Sequence, residues 1–227
     1  PAVIYAESQD GNISRVDRVT NERKSIRPEV APGEPTLRWN WDTPFMLSPH
    51  DPKTLYAGAN RLFKSTDQGR SWQTVSPDLT VGLDRDSVEI MGLKGKDIKI
   101  AKNDGVSVYG SLFTVAESKL KQGLLYTGSD DGQAQVSRDG GATWTNMTPK
   151  MSGAPKWGYV SKVEPSKFAE GTVYVAFDAH RTGDYGTYLY ASTDYGTTFK
   201  SIAANLPAGQ VIRSVTEDTR SADVLYA

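Results

Sequence analysis

Three eight-residue strings in this chain follow one pattern, S-x-D-x-G-x-[ST]-[WF]. They run Ser65–Trp72, Ser137–Trp144 and Ser192–Phe199, with starts 72 and 55 residues apart. The constant positions are Ser65, Asp67, Gly69 and Trp72, then Ser137, Asp139, Gly141 and Trp144, then Ser192, Asp194, Gly196 and Phe199. A spaced repeat of this kind is strongly constraining, because each copy is one supersecondary unit that buries its apolar face on its neighbours.

The flanks repeat as well. Upstream lie short apolar runs, Leu55–Gly58, Leu125–Gly128 and Val173–Ala176. A second run leads into each string: Leu62–Lys64, Ala134–Val136 and Tyr188–Ala191. A third follows it, at Gln73–Val75, Thr145–Met147 and Lys200–Ile202, and a fourth lies further upstream, at Phe45–Leu47, Leu112–Val115 and Tyr159–Val163. These runs are rich in β-branched and aromatic residues, so each unit reads as four short strands joined by tight turns. Four-stranded units in series are the mark of propeller blades. The predicted fold is all-β: a β-propeller arc of about four blades, each a four-stranded antiparallel sheet. Three blades are complete, at 37–77, 112–150 and 151–207, with partial blades at 1–36 and 208–227 and an insertion at 78–111. Val3–Ala6 and Val224–Ala227 match the same strand of the repeat, so both ends read as cuts within a longer protein.

Within each string the chemistry is that of a hairpin staple. The Asp accepts backbone N–H bonds across the turn, the Gly permits positive φ, the Ser or Thr satisfies a further backbone group, and the aromatic ring lies on the hairpin.

Composition narrows the function classes. Hydrophobic residues are 37% of the chain, with 21 Gly and 12 Pro, which suits thin repeated layers and many turns. A formal charge of −1 offers no global field for nucleic acid or an anionic membrane. No apolar run is long enough to span a bilayer. With no Cys there is no disulfide, thiolate metal site or Cys nucleophile. Two isolated histidines, His50 and His180, complete no transition-metal set, and no phosphate-binding glycine loop occurs, so no metal or cofactor is expected. Asp130-Asp131-Gly132 reads as a plain turn in preference to a Ca²⁺ loop.

The strings resemble the Asp-box, or BNR, repeats of sialidases and sortilin-type propellers. Together with Arg38–Pro44, Leu47–Pro52 and Gly58–Phe63, they are most similar to bacterial sortilin-like or "glycosyl hydrolase BNR repeat" exported proteins. The resemblance implies a periplasmic or extracellular location and implies no activity, because enzymes and binding proteins share the box. The sialidase site does not carry over: Ser25-Ile26-Arg27-Pro28 lacks the family's F/Y-R-I-P order, and no other arginine has a matching context.

Candidate ligand-binding residues lie in three places. Arg38, Trp39, Asn40, Trp41 and Asp42 precede a first strand and fall at a mouth of the funnel, where they read as a sugar or peptide grip or as packing between blades. Arg61 follows a neighbouring strand. His180, Arg181 and Asp184 occupy a polar loop that suits anion recognition, acid–base work or plain surface ion pairing. The insertion, with its basic run Lys94–Lys102, reads as a cover for a neighbouring domain or as a flap.

The first reading is a non-catalytic binding or scaffold propeller of an exported protein, presenting loops to a peptide, a glycan or a neighbouring domain. The second is a glycoside hydrolase, which needs two carboxyls flanking a sugar; Asp42, Asp104, Asp178 and Asp184 are its candidates, with further catalytic groups outside this segment. The third is an inter-domain spacer.

Overall fold

A computed structural model describes residues 2–90, 92–100 and 109–227. Met91 and the expected features at 101–108, including Asp104 and the end of the basic run, lie outside the described residues.

The strands form a series of small antiparallel sheets in sequence order. The first sheet holds β1 (Val3–Glu7), β2 (Ile13–Asp17) and β3 (Arg23–Ser25). The second is four-stranded: β4 (Phe45–Leu47), β5 (Leu55–Gly58), β6 (Leu62–Ser65) and β7 (Gln73–Thr74). A hairpin of β8 (Glu89–Ile90) and β9 (Leu93–Lys94) stands apart. The third sheet is β10 (Leu112–Glu117), β11 (Leu125–Ser129), β12 (Ala134–Ser137) and β13 (Thr145–Asn146). The fourth is β14 (Tyr159–Pro165), β15 (Val173–Asp178), β16 (Tyr188–Ser192) and β17 (Lys200–Ser201). β18 (Thr216–Glu217) pairs with β19 (Leu225–Tyr226). The second strands of the second, third and fourth sheets, β5, β11 and β15, are buried along their whole length, because each of these sheets lies between two others.

The apolar interior follows the seams. One cluster joins Tyr126, Val136 and Met147 of the third sheet region to Val160, Val175 and Phe177 of the fourth. Another joins Tyr56 and Leu62 to Leu112 and Leu125, and a third joins Ile13 and Ile26 to Leu55 and Ala57. A chain with few aliphatics therefore closes several thin layers instead of one deep core.

Each repeated string turns the third strand into the fourth. In the second string Ser137 Oγ donates to Asp139 Oδ1 at 2.8 Å and accepts the Gly141 N–H at 2.8 Å. The Thr143 N–H reaches Asp139 Oδ1 at 2.9 Å and its hydroxyl reaches Oδ2 at 2.5 Å. The first and third strings repeat these bonds through Asp67 and Asp194. Two details differ from the expectation. The seventh-position hydroxyl donates to the Asp, which uses both carboxylate oxygens. The Trp reaches the preceding sheet: Trp72 Nε1 donates to Ile26 O at 2.8 Å, and Trp144 Nε1 to Val75 O at 2.9 Å. Phe199 has no N–H and packs in the cluster that contains Met147, the matching residue of the blade before it. Local spacing shows a hairpin but not the neighbour that the hairpin touches.

Hydroxyl donors, then N–H donors, hold Asp67, Asp139 and Asp194 at about 2. A folded pKa below the unfolded one contributes stability above about 4 that is lost as pH falls towards 2. An acid titration followed by near-UV circular dichroism should show tertiary signal lost in that window. Asp139→Asn should weaken this acid dependence.

On the second strands of the second and fourth sheets, a tyrosine hydroxyl addresses the next blade. Tyr56 donates to Glu117 Oε1 at 3.3 Å and Tyr174 donates to Glu217 Oε1 at 3.2 Å. Strand pairing places Pro165 at the position of Glu117 and Glu217, opposite Val173, Leu125 and Leu225 respectively. The intervening tyrosine, Tyr126, is fully buried and its hydroxyl has no hydrogen-bond partner among the described residues. Tyr56→Phe and Tyr174→Phe are each expected to lose about 1–2 kcal/mol, while Tyr126→Phe is neutral or gains up to about 1 kcal/mol. Urea denaturation of the three variants reads this directly.

Candidate binding face

Strand direction alternates within each sheet, so the turns divide between two faces. The repeated strings and the first-to-second strand turns share one face. The loops entering each first strand and the second-to-third strand turns share the other. Every candidate ligand-binding residue lies on this second face.

The structure separates those candidates. Trp39 is buried, stacks on Phe63 with ring centroids 6.2 Å apart, and carries Arg27 over its ring at 5.3 Å. Arg38 is held from three sides: Nε donates to Gly110 O at 2.8 Å, and one terminal nitrogen donates to Asp78 Oδ2 at 2.6 Å and to Thr80 Oγ1 at 3.0 Å. Asn40 donates to Ser111 Oγ and Asp130 Oδ2, both at 3.2 Å. Arg38 and Asn40 close the seam between the second and third sheets, while Trp39 packs toward the first, against Gly11 and Arg27. Trp41 is 42% exposed, Asp42 is exposed, and Arg61 pairs with Glu34 at 3.5 Å.

The turn Asp130-Asp131-Gly132 is a buried clasp for the insertion. Asp131 Oδ2 accepts the N–H groups of Val81 and Gly82 at 3.0 Å and of Leu83 at 3.4 Å, where the insertion begins. Asp130 Oδ1 accepts the N–H groups of Gly110 at 2.9 Å and Ser111 at 2.8 Å, where it ends. Ser111 Oγ completes the set at Asp130 Oδ2, 2.8 Å away. Both carboxylates are fully buried, and burial pushes Asp130 up to about 7 and raises Asp131. Between these roots the insertion forms 3-10 turns at Arg85–Ser87 and Gly95–Asp97, and β8 packs against the turn His180–Thr182 of the fourth sheet.

That turn carries the second constellation. Asp178 ends β15, opposite Tyr159. Its Oδ1 accepts the His180 N–H at 3.1 Å and lies 2.5 Å from His180 Nδ1. Its Oδ2 lies 3.9 Å from a terminal nitrogen of Arg181 and 3.9 Å from Arg213 Nε. Arg181 stacks over the Tyr159 ring at 4.3 Å, and Tyr159 in turn contacts Phe113 at 5.5 Å and Tyr109 at 6.3 Å. Asp184 accepts the Tyr188 hydroxyl and the Gly186 N–H, both at 2.8 Å. Asp178 and Asp184 thus serve one turn, while Asp42 precedes the second sheet, with the β10–β13 sheet between them in chain order. Sequence reasoning did not find Arg213 or Tyr159. Arg213 stands in a loop with no motif around it, and Tyr159 reads as an ordinary strand residue.

Solved structures with this arrangement of sheets are propellers. The fold is that of a β-propeller. A GH74 xyloglucanase from Xanthomonas campestris superposes with a TM-score of 0.58 at 18% identity, covering 98% of this chain and 32% of that one. YCF48 bound to D1 peptide gives 0.50 at 11% identity, with 94% and 55% covered. The extracellular domain of the hybrid two component system BT3049 from B. thetaiotaomicron gives 0.50 at 12% identity, with 96% and 23% covered. The chain therefore spans from about a quarter to about half of these proteins. No family model and no curated protein matches it.

Proposed function

We propose that this chain is a non-catalytic binding segment of an exported Asp-box propeller of the sortilin-like kind, with blades at 37–77, 112–150 and 151–207, partial blades at 1–36 and 208–227, and an insertion at 78–111. It presents the loop face to a peptide, a glycan or a neighbouring domain. The observation that carries this reading is the pair Arg181 and Arg213, which converge on one buried carboxylate without a hydrogen bond to it, on the face opposite the strings. Asp178 and Asp184, by contrast, are already engaged by His180, Tyr188 and Gly186, which suits anchoring better than proton transfer. The peptide named with YCF48, on a similar fold, makes a peptide ligand a reasonable class to test first. The same loops serve a glycoside hydrolase in the alternative reading.

The test is to screen the folded chain on peptide and glycan arrays and to incubate it with the glycans it captures. Capture without hydrolysis supports the proposal. Release of reducing ends that is lost in Asp178→Asn and retained in Arg213→Gln supports the hydrolase instead.

A further inference from the structure

We infer that the fourth sheet's loop face recognises an acidic side chain of a peptide, held by Arg181 and Arg213, with an adjoining groove at Trp157 for a neighbouring apolar side chain. This rests on the binding reading above and names its ligand class.

The charge balance at Asp178 is uneven. Two guanidinium groups approach one carboxylate oxygen, and that carboxylate is only 5% exposed. The Arg213 side chain is 73% exposed and that of Arg181 is 39% exposed, so both are open to solvent in part. At 3.9 Å neither contact is a hydrogen bond, and a guanidinium has five donors and no acceptor. Stacking on Tyr159 fixes the plane of Arg181 in advance, which lowers the entropy lost when a carboxylate docks bidentately. A second anion here would meet guanidinium donors that make no hydrogen bond among the described residues.

The groove lies alongside. It encloses about 390 Å³ and is walled by Pro149, Met151, Ala154, Pro155 and Trp157. Several of its polar members are engaged: Thr148 Oγ1 donates to Gly132 O at 3.0 Å, Gln133 Oε1 accepts from Asn146 at 2.5 Å, and Asp131 accepts the N–H groups of Val81 and Gly82. Ser152 and Lys156 also line it, the Lys156 ammonium lying 5.0 Å from the centre of the Trp157 ring. A wall of prolines, Met151, Ala154 and Trp157 suits an aliphatic or aromatic side chain better than a sugar, which needs partners for its hydroxyls. Trp157 has φ +62, a left-handed conformation that is uncommon for a bulky residue. The Tyr109 hydroxyl holds its carbonyl at 3.3 Å, and the Gly158 N–H reaches Pro155 O at 3.4 Å. Strain of this kind gathers at ligand clamps. A Cβ added to Gly158 would lie 3.2 Å from the Ala179 Cβ, so the groove wall abuts the turn that carries Arg181.

The experiment uses fluorescence polarisation with C-terminally amidated nonapeptides, so that only side chains supply carboxylates. One set carries Glu beside Leu or Phe, and the matched set carries Gln instead. The acidic set should bind at least about tenfold more tightly. The advantage should shrink between about 50 and about 500 mM salt. It should vanish in R181Q/R213Q and persist in R138Q, which alters an arginine on the opposite face. R181K/R213K keeps the charges, removes the forks and guards against a folding defect, and it should lose most of the preference. Equal binding of both sets, or a preference that survives in R181Q/R213Q, overturns the acidic site and leaves the binding reading standing. Binding of glycans alone also overturns it. If no peptide or glycan binds the wild-type chain, both the site and the binding reading fall.

Discussion

Gly141→Ala is expected to destabilise the protein by about 3–5 kcal/mol, combining left-handed backbone strain with overpacking. Gly141 has φ +102, and a Cβ there would lie 2.5 Å from Val75 O and 2.9 Å from Val75 Cβ. The nearest atom is backbone of the preceding blade, so no side-chain rotation relieves the clash. Gly140 provides the control on the adjacent residue: it too has positive φ, +75, yet has nothing within 4 Å of its added Cβ. Gly140→Ala should therefore lose only the strain, about 1–2 kcal/mol. Guanidinium denaturation of the two variants separates blade seating from turn conformation. Equal losses would show that the tight seat of Gly141 against Val75 adds nothing to the cost of the turn conformation.

Asp130→Ala should lose about 3–5 kcal/mol, because it leaves the buried N–H groups of Gly110 and Ser111 without an acceptor and frees one end of the insertion. Hydrogen exchange should then rise at Gly110 and Ser111 before the rest of the third sheet. Asp130→Asn is milder, since Asn60 fills the same place in the preceding blade, accepting the Arg38 N–H and donating to Asp78. The amide should also change the response to pH. With a folded value of about 7 against an ordinary 3.8, the native state holds the proton more tightly than the unfolded chain. This group's contribution is complete below about 4 and is lost as pH rises through about 7, the opposite sense to the string carboxylates. The slope of unfolding free energy between about pH 4 and 7 should flatten in Asp130→Asn. An unchanged slope would mean that Asp130 does not titrate in that range.

Much of the architecture was legible because its determinants are local. The alternation of short β-branched runs, the Asp and Gly of each turn and the spacing of the strings are properties of a few consecutive residues, and they specify strands, turns and their number. The proposed binding face was legible only in part. His180, Arg181 and Asp184 stood out as a polar loop between strands. Arg38, Trp39 and Asn40 looked much the same, yet the fold draws Arg38 and Asn40 into the seam behind Gly110 and Ser111 and buries Trp39 against Phe63 and Arg27.

What the sequence by itself determined is the repeating unit, since hairpin chemistry acts within about ten residues. Only the tertiary structure decided which blade each string grips, that Asp130 and Asp131 hold the insertion at its roots, and that Arg213 joins Arg181 at Asp178. Those contacts join residues tens of positions apart. Their partners are chosen by how the sheets pack, and a linear pattern carries no record of that choice.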